Sequence, residues 1–210
     1  MSAKIPCSYT ITKAPLKAIA NNARRSYGEE NPEFSCLYLG FKNGETEDVF
    51  TYKPVFSTTA TKESDAGTYP IYCVRAEAKN YNIECISGTL TIDKAPQEII
   101  WEQEFGTYSV GDEIELTATS SAGLPIKFKS SDNSSVAIIT KNKKQYAYII
   151  KPGITLLTAY QNGDRNHNEA EEVNKIISAQ TTSIESINTD NDNNIYYKTN
   201  GCKATKSTTE

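Results

Sequence analysis

Histidine is almost absent from this sequence, with His167 alone among 210 residues. One imidazole cannot supply the multi-histidine ligand sets of many catalytic metal centres. Long apolar runs are missing too, and none approaches the ~20 residues of a membrane-crossing helix. The opening MSAKIPCSYT lacks the basic and apolar regions of a signal peptide, so the chain either stays inside the cell or is part of something longer. Blocks of one charge are absent. The formal charge is −4, the sequence pI is near 5.3, and acids and bases are interspersed, which excludes the basic footprint of a nucleic-acid or anionic-membrane binder. No Gly-x-Ser-x-Gly, Cys-x-x-Cys, phosphate-cradling glycine loop or zinc-protease histidine pair occurs.

What the chain does have is tyrosine, 13 of them, with Thr, Ile and Val in short bursts punctuated by Gly and Pro, although only 38% of residues are hydrophobic. That is the composition of short strands and turns, with helix a minor component. At this length two compact domains with extra ends are expected.

A repeated phrase sets the boundaries. Thr10–Pro15 reads TITKAP, and Thr91–Pro96 reads TIDKAP, 81 positions later, with Thr12 replaced by Asp93. A period of that size is a module. Before the second copy, Tyr81, Ile83 and Cys85 alternate, then Leu90 and Ile92 alternate after Gly88, which reads as a strand broken at Ser87-Gly88. So TID closes one domain and KAP opens the next. By the same logic residues 1–12, with Cys7, Tyr9 and Ile11 in parity, are the closing strand of a missing upstream repeat. Between the copies, strands are expected at Leu16 to Asn21, in FSCLYLGF, from Pro54 in PVFSTT, and in GTYPIYCV, where Tyr69, Ile71 and Cys73 share one face. Pro70 cannot donate to a ladder, which places that strand at an edge or a bulge. One short helix is expected at GETEDVF, with Thr46 as its cap and two acids in its first turn.

These residues carry a resemblance. Tyr27-Gly28 with Pro32, Tyr38, Gly40-Phe41, Asn43-Gly44, Gly67-Thr68-Tyr69-Pro70, Tyr81, Gly88 and Leu90, spread over residues 10 to 96, are similar to the MBG domain of the YGX type, a repeated module of bacterial surface proteins. The resemblance implies a mainly β, grasp-like fold used in adhesin-like or stalk-like extracellular regions, and supplies no catalytic residues. The cysteines depart from it, falling where the family has Val, Thr or Tyr.

From Gln97 onward, seven or eight short strands in about 85 residues indicate an antiparallel sandwich. Gly123-Leu124-Pro125, Ser130-Ser131-Asp132, Val136-Ala137 and Gly153 through Leu157-Thr158-Ala159 resemble bacterial immunoglobulin-like repeats. Ser-Ser-Asp has its own mechanical reading, a turn capped by side-chain bonds to backbone. The last thirty residues are polar and poor in core formers, so disorder is expected over most of 181–210. They also resemble a C-terminal secretion segment of Gram-negative surface proteins, without its final hairpin.

Each candidate for chemistry has a plainer reading. His167 near Asp164, Glu169 and Glu171 is a weak metal candidate and more simply a surface loop residue. The pairs Glu102 with Glu104 and Asp112 with Glu115 resemble acid–base carboxylates but fit solvated strand faces. Asp190–Asn194 echoes a calcium loop without its turn glycine or closing glutamate. Tyr146 and Tyr148 share a strand face that suits either sugar stacking or half-buried packing. Of five cysteines, Cys36, Cys73 and Cys85 have inward parity, and Cys73 and Cys85 are placed opposite each other on a hairpin centred near Lys79, within bonding reach. Cys7 and Cys202 make up the odd total, which argues against a full disulfide framework.

The sequence thus predicts a mainly β chain: a closing strand at 1–12, a β-grasp-like module with one short helix at 13–96, an immunoglobulin-like antiparallel β-sandwich at 97–180, and a polar tail at 181–210. It predicts no enzyme, no cofactor, and no catalytic, cofactor-binding or metal residues. The expected role is a monomeric structural or adhesive module of a secreted or cell-surface bacterial protein, with an unidentified protein or glycan ligand. The alternative is a carbohydrate-binding accessory region. The connection DKAPQE holds neither Gly nor Ser, and Pro96 restricts Ala95, so a semi-rigid rod is expected rather than a flexible hinge.

Overall fold

The computed structural model describes residues 9–181 and, beyond them, the backbone of 184–189, 195–199 and 205–206. It is mainly β, and the chain divides into two compact units. The first comprises Met1–Ala95 with Asp164–Asn168, and the second Pro96–Gly163 with Glu169–Glu210. Among the described residues no helix is long and apolar enough to cross a membrane.

The first unit contains β1 (Ala14–Ala20), β2 (Ala23–Ser26), β3 (Cys36–Leu39), β4 (Phe50–Ser57), β5 (Gly67–Ala78), β6 (Tyr81–Ile86) and β7 (Gly88–Asp93). They form two sheets, ordered β3-β1-β6 and β2-β7-β5-β4. The opening pair β1 and β2 runs parallel to the closing pair β6 and β7: Ala14 to Ile19 face Tyr81 to Ile86, and Ala23 to Ser26 face Leu90 to Asp93. Both pairs break at the same level, so each passes from one sheet to the other. Chemistry at the break explains it. Asn21 Nδ2 donates to Ser35 Oγ at 2.9 Å, and Asn22 Oδ1 accepts from Thr89 N–H at 2.9 Å. A Cβ on residue 88 would stand 2.7 Å from the Ala20 carbonyl oxygen and 2.8 Å from that of Asn21, so only glycine lets β7 start there. Gly40 is fixed in the same way, with φ of 119° and a would-be Cβ 2.7 Å from Pro15 O.

Alternation along β5 buries Ile71 and half-buries Tyr69 and Cys73, as the sequence parity requires. Its place in the sheet differs from the expectation. The strand is interior, between β7 and β4, but β4 pairs with it only as far as Tyr72. Pro70 therefore has a strand on one side only, opposite Thr89 of β7, and its missing N–H breaks no ladder. β4 starts at Phe50 rather than Pro54, with register shifts on either side of the proline. The helix is a single 3-10 turn, Glu47–Val49, and Thr46 stands at its start without a side-chain cap bond. Its hydroxyl instead lies 3.2 Å from Asp48 Oδ2.

Two small cores fill this unit. One joins Ala20, Ala60, Ile71, Leu90 and Ile92, and the other Leu16, Ala78 and Tyr81. The second is closed by rings: Phe41 lies 5.6 Å from Tyr38, 6.0 Å from Phe50 and 6.0 Å from Tyr81, in tilted and edge contacts. Ahead of β1, Tyr9 and Ile11 are 86% and 95% exposed and carry no strand, while Cys7 lies outside the described residues.

In the second unit, β8 (Ile99–Ile100), β9 (Thr107–Ser109), β10 (Glu113–Glu115), β11 (Thr119–Ser120), β12 (Lys127–Ser130), β13 (Val136–Lys141), β14 (Lys144–Ile149), β15 (Gly153–Tyr160) and β16 (Val173–Gln180) form sheets ordered β10-β14-β13, β11-β8 and β12-β15-β16-β9. All pairs are antiparallel except β9 with β16, which is parallel. One core of Trp101, Leu116, Phe128, Val136, Ala147, Ile149, Leu157 and Ile177 lies between the sheets. The Ser-Ser-Asp turn is held as its chemistry requires. Asp132 accepts from Ser135 Oγ at 2.6 Å and from Ser134 N–H at 2.9 Å, and these donors hold its carboxyl down at about 2.

Residues 181–210, expected to lack order, carry β17 (Ile184–Thr189), β18 (Ile195–Thr199) and β19 (Thr205–Lys206), paired antiparallel in that order. Ile, Thr and Tyr give these stretches strand propensity that a count of core formers overlooks. Asp190–Asn194 and Cys202 lie outside the described residues.

Replacing Gly88 with Ala is expected to cost about 1–3 kcal/mol, because the added methyl meets two backbone carbonyls that cannot swing away. Urea unfolding of the two proteins measures it, and an unchanged midpoint would show that the corner yields.

Candidate functional site

Of the carboxylates that resemble catalytic pairs, Glu104 and Glu115 are engaged in ion pairs, and Glu113 beside them is too. Glu104 pairs with Lys175 at 2.9 Å, Glu113 with Lys141 at 2.6 Å and Glu115 with Lys144 at 2.7 Å. Asp112 accepts from Ser109 N–H at 2.8 Å and closes a turn, and Glu102 is exposed. Neither expected pair comes together around a cleft. Tyr146 and Tyr148 stand half-buried on β14, with Glu115 and Glu113 as their neighbours on β10, while Ala147 and Ile149 fill the core.

His167 belongs to a loop that completes the first unit. Its Nδ1 lies 3.0 Å from Asp164 Oδ1, and its ring meets the edge of Tyr27 at 5.4 Å. Asp164 organises the loop by accepting from Asn166 N–H at 2.8 Å and His167 N–H at 2.7 Å. Those donors, Asn166 first, hold its carboxyl below its ordinary range. Asn166 then caps the 65–66 turn: its Oδ1 accepts from Ala66 N–H at 2.9 Å and its Nδ2 donates to Asp65 Oδ1 at 2.8 Å. Arg165 pairs with Asp65 at 3.0 Å. Among the described residues no three His, Cys, Asp or Glu side chains converge as a metal site.

The same loop explains part of the repeated phrase. In TIDKAP, Ile92 is core, Lys94 Nζ donates to Asp164 O at 2.6 Å, and Ala95 exchanges backbone bonds with Asn166 and Asn168 at 2.8 and 2.9 Å. Asp93 answers the single change in the phrase: both its oxygens accept from Arg24, Oδ1 from Nη2 at 2.7 Å, tying β2 to β7. That bidentate bond holds the carboxyl below its ordinary range.

Arg25, which the sequence analysis did not single out, is 95% buried beside Ile92. It donates to Asn31 Oδ1 at 2.8 Å, Ser26 O at 3.0 Å and Thr61 O at 2.5 Å, and Asn31 Nδ2 donates to Ala60 O at 2.7 Å. One guanidinium thus fixes two loops. Its only sequence signal is a charged residue at an inward strand position.

The cysteines differ from the expectation in route and in burial. Cys73 on β5 and Cys85 on β6 are not ladder partners, because β6 pairs with β1 in the other sheet. Strand parity gives the face of each residue but not the neighbouring strand. Cys85 nonetheless lies near enough to add to burial in pushing the Cys73 thiol up. Cys36 and Cys73 are half-buried, and Cys85 is exposed rather than inward. Exposed aromatics are scattered. Tyr52 lies under the Arg75 guanidinium at 3.5 Å, and Tyr72 lies about 17 Å further along the sheet at five residues' distance. On the second unit the exposed row of Ile154, Leu156 and Ile176 is aliphatic.

Comparison with known proteins finds one family match, within the first unit. Residues 16–91 match the MBG domain (YGX type). Several of the residues that carry the resemblance in sequence shape the chain: Gly88 and Gly40 at close approaches, Asn43-Gly44 at positive φ, and Tyr81 and Leu90 in the cores. Among solved structures, similar chains include immunoglobulin domains 1–4 of Sidekick-1 at 10% identity and TM-score 0.37, covering 84% of this chain and 51% of that one. The chain therefore spans about half of that protein's length. Domains 4 and 5 of the S-layer protein SbsC match at 11% identity and TM-score 0.31, covering 67% of this chain and 81% of that one. The fibronectin(III)-like modules of CbhA from Clostridium thermocellum match at 11% identity and TM-score 0.34, covering 79% and 94%. A search of curated proteins returns no significant match.

Arg25→Ala is expected to destabilise the chain by on the order of 3 kcal/mol, since it removes a buried side chain and three part-buried hydrogen bonds. Arg25→Lys should recover little, because an ammonium cannot span the fork. Chemical denaturation of both variants checks this, and full recovery by Lys would refute the fork. Alkaline stability provides a second test. Burial, then Cys85 and Cys36, pushes the Cys73 thiol from 9.0 up to about 12. The folded chain keeps a proton that the unfolded chain releases, so the reduced protein should lose stability as pH rises from 9.0 towards about 12. Cys73→Val should flatten that decline in pH-dependent melting, and an unchanged slope would remove Cys73 as its source.

Proposed function

We propose that the chain is a non-catalytic spacer from a secreted or cell-surface bacterial protein, whose modules resist being pulled apart. The observation that carries this reading is the parallel pairing of β1 with β6 and β2 with β7. In a parallel pair, the start of the opening strand and the end of the closing strand lie at opposite ends of the ladder. Tension applied through the two ends of the module therefore shears all of these backbone bonds together instead of unzipping them singly. The Arg24–Asp93 fork sits on the same seam and adds a charged, two-pronged bond to it. The MBG match over residues 16–91 and the engagement of polar groups in turns and ion pairs support the same reading. The short connection Asp93 to Glu98, without Gly or Ser, suits a spacer, with ligand recognition left to another domain. A carbohydrate surface draws no support from the scattered exposed tyrosines.

Pulling single molecules by residues 14 and 93 tests the proposal. The module is expected to open in one discrete step, at a force several-fold higher than when the same chain is held through a pair of residues that unzips β4 from β5. Gradual extension without a discrete step would refute it.

A further inference from the structure

The first unit contains three thiols whose arrangement is not that of simple core fillers. Cys85 on β6 stands beside Ala18 of β1, Tyr38 on β3 stands on the other side of Ala18, and Cys36 on β3 stands beside Ala20. Ala18 and Ala20 are 0% and 4% exposed, so their small side chains form the floor between flanking strands. Cys73 faces inward from β5 of the opposite sheet, on the side that buries Ile71, and the tight turn from Ala78 to Tyr81 brings β5 and β6 side by side in the chain. Burial pushes the Cys73 thiol up, and Cys85 and Cys36 both lie near enough to add to it. Three apolar fillers would all be shielded, yet Cys85 is exposed and Cys36 and Cys73 are half-buried behind it. That gradient gives a site with one entry thiol and two inner ones.

We propose that this cluster is a thiol–disulfide site in which Cys85 and Cys73 oxidise to a cross-link between the two sheets of the module. The oxidant is a disulfide, either a small molecule or a protein of the oxidising class. The Cys85 thiolate attacks one sulfur of the donor. The donor S–S bond breaks, one half leaves as a thiolate and takes up a proton, and Cys85 is held as a mixed disulfide. Cys73 then loses its proton and attacks the Cys85 sulfur, releasing the second half of the donor as a thiol. Two protein thiols are oxidised by two electrons, and one donor disulfide is reduced to two thiols. Burial and its neighbours keep the Cys73 proton on near neutrality, which leaves the exposed Cys85 to begin the exchange. The product pins β5 to β6 where no ladder joins them. The proposal is chemical and does not depend on the spacer reading.

The test equilibrates the whole chain with glutathione disulfide, then maps thiols and cross-links by mass spectrometry after alkylation. The expected product is one intramolecular bond joining Cys73 to Cys85 with Cys36 alkylated, and a melting temperature raised by roughly 5–10 °C that returns to the starting value with reductant. Three alkylated thiols at 36, 73 and 85, or a bond from Cys85 to Cys7 or Cys202, would overturn it. The conservative variant Cys73→Ala is expected to stop at a mixed disulfide of Cys85 with glutathione, because Cys36 lies on the far side of β1, two strand spacings away. An unmodified Cys85 in that variant would overturn its role as the entry thiol.

Discussion

The first unit depends on one close approach of backbone to backbone. Where β1 turns into β2, the carbonyls of Ala20 and Asn21 stand where a side chain at position 88 would go, and glycine there lets the closing strand begin. Without that contact the closing pair could not change sheets at the same level as the opening pair. Ile92 and Leu90 would then leave the core, and Asp93 would lose its register with Arg24. Asn21 and Asn22 tie the corner from the side by bonding Ser35 and Thr89, so both sheets are positioned by a few short bonds rather than by a large core. Small double cores of this kind suit a module whose strength lies in its ladders.

Polar chemistry in the described residues is directed inward to structure. Asp132, Asp164 and Asn166 make the bonds that backbone N–H groups require in tight turns, and Arg25 supplies donors to loop carbonyls that strands cannot reach. A catalytic group needs the reverse arrangement, with side chains held in place but their reacting atoms left free. The lowered carboxyl of Asp132 illustrates the difference, because its shift comes from the serine donors that close its turn and not from a partner across a cleft.

Much of the fold was legible in the sequence because period-two alternation reports faces directly. Tyr69, Ile71 and Cys73 keep their common face, and the break at Ser87-Gly88 lies where the alternation changes phase. Pairing partners were not legible, since parity is the same whichever strand lies alongside. Cys73 and Cys85 therefore stand on strands of two different sheets, with Cys85 exposed. The long-range polar contacts were also hidden. Asp93 has meaning only beside Arg24, and Asn166 only beside Asp65, about a hundred positions away in sequence. A loop such as NGDRNHN announces a turn through its Asn, Gly and Asp, and nothing in its composition names the surface it completes.

The one change inside the repeated phrase shows how a module becomes individual without altering its fold. Thr12 and Asp93 occupy equivalent places, and each is followed by the same Lys-Ala-Pro. Lysine serves both copies through its reach, donating from Lys13 to Ala78 O at 3.3 Å and from Lys94 to Asp164 O at 2.6 Å. Alanine and proline serve both by holding the chain extended, so that Ala14 enters a strand and Ala95 exchanges backbone bonds with the 166–168 segment. The position that differs follows an exposed isoleucine in the first copy, Ile11, and a core isoleucine in the second, Ile92. Aspartate there gains Arg24 as a partner and forms a two-pronged clamp between β2 and β7. In both copies the shared Lys-Ala-Pro thus sets how the following segment is entered, and in the second copy Asp93 also fastens the end of β7.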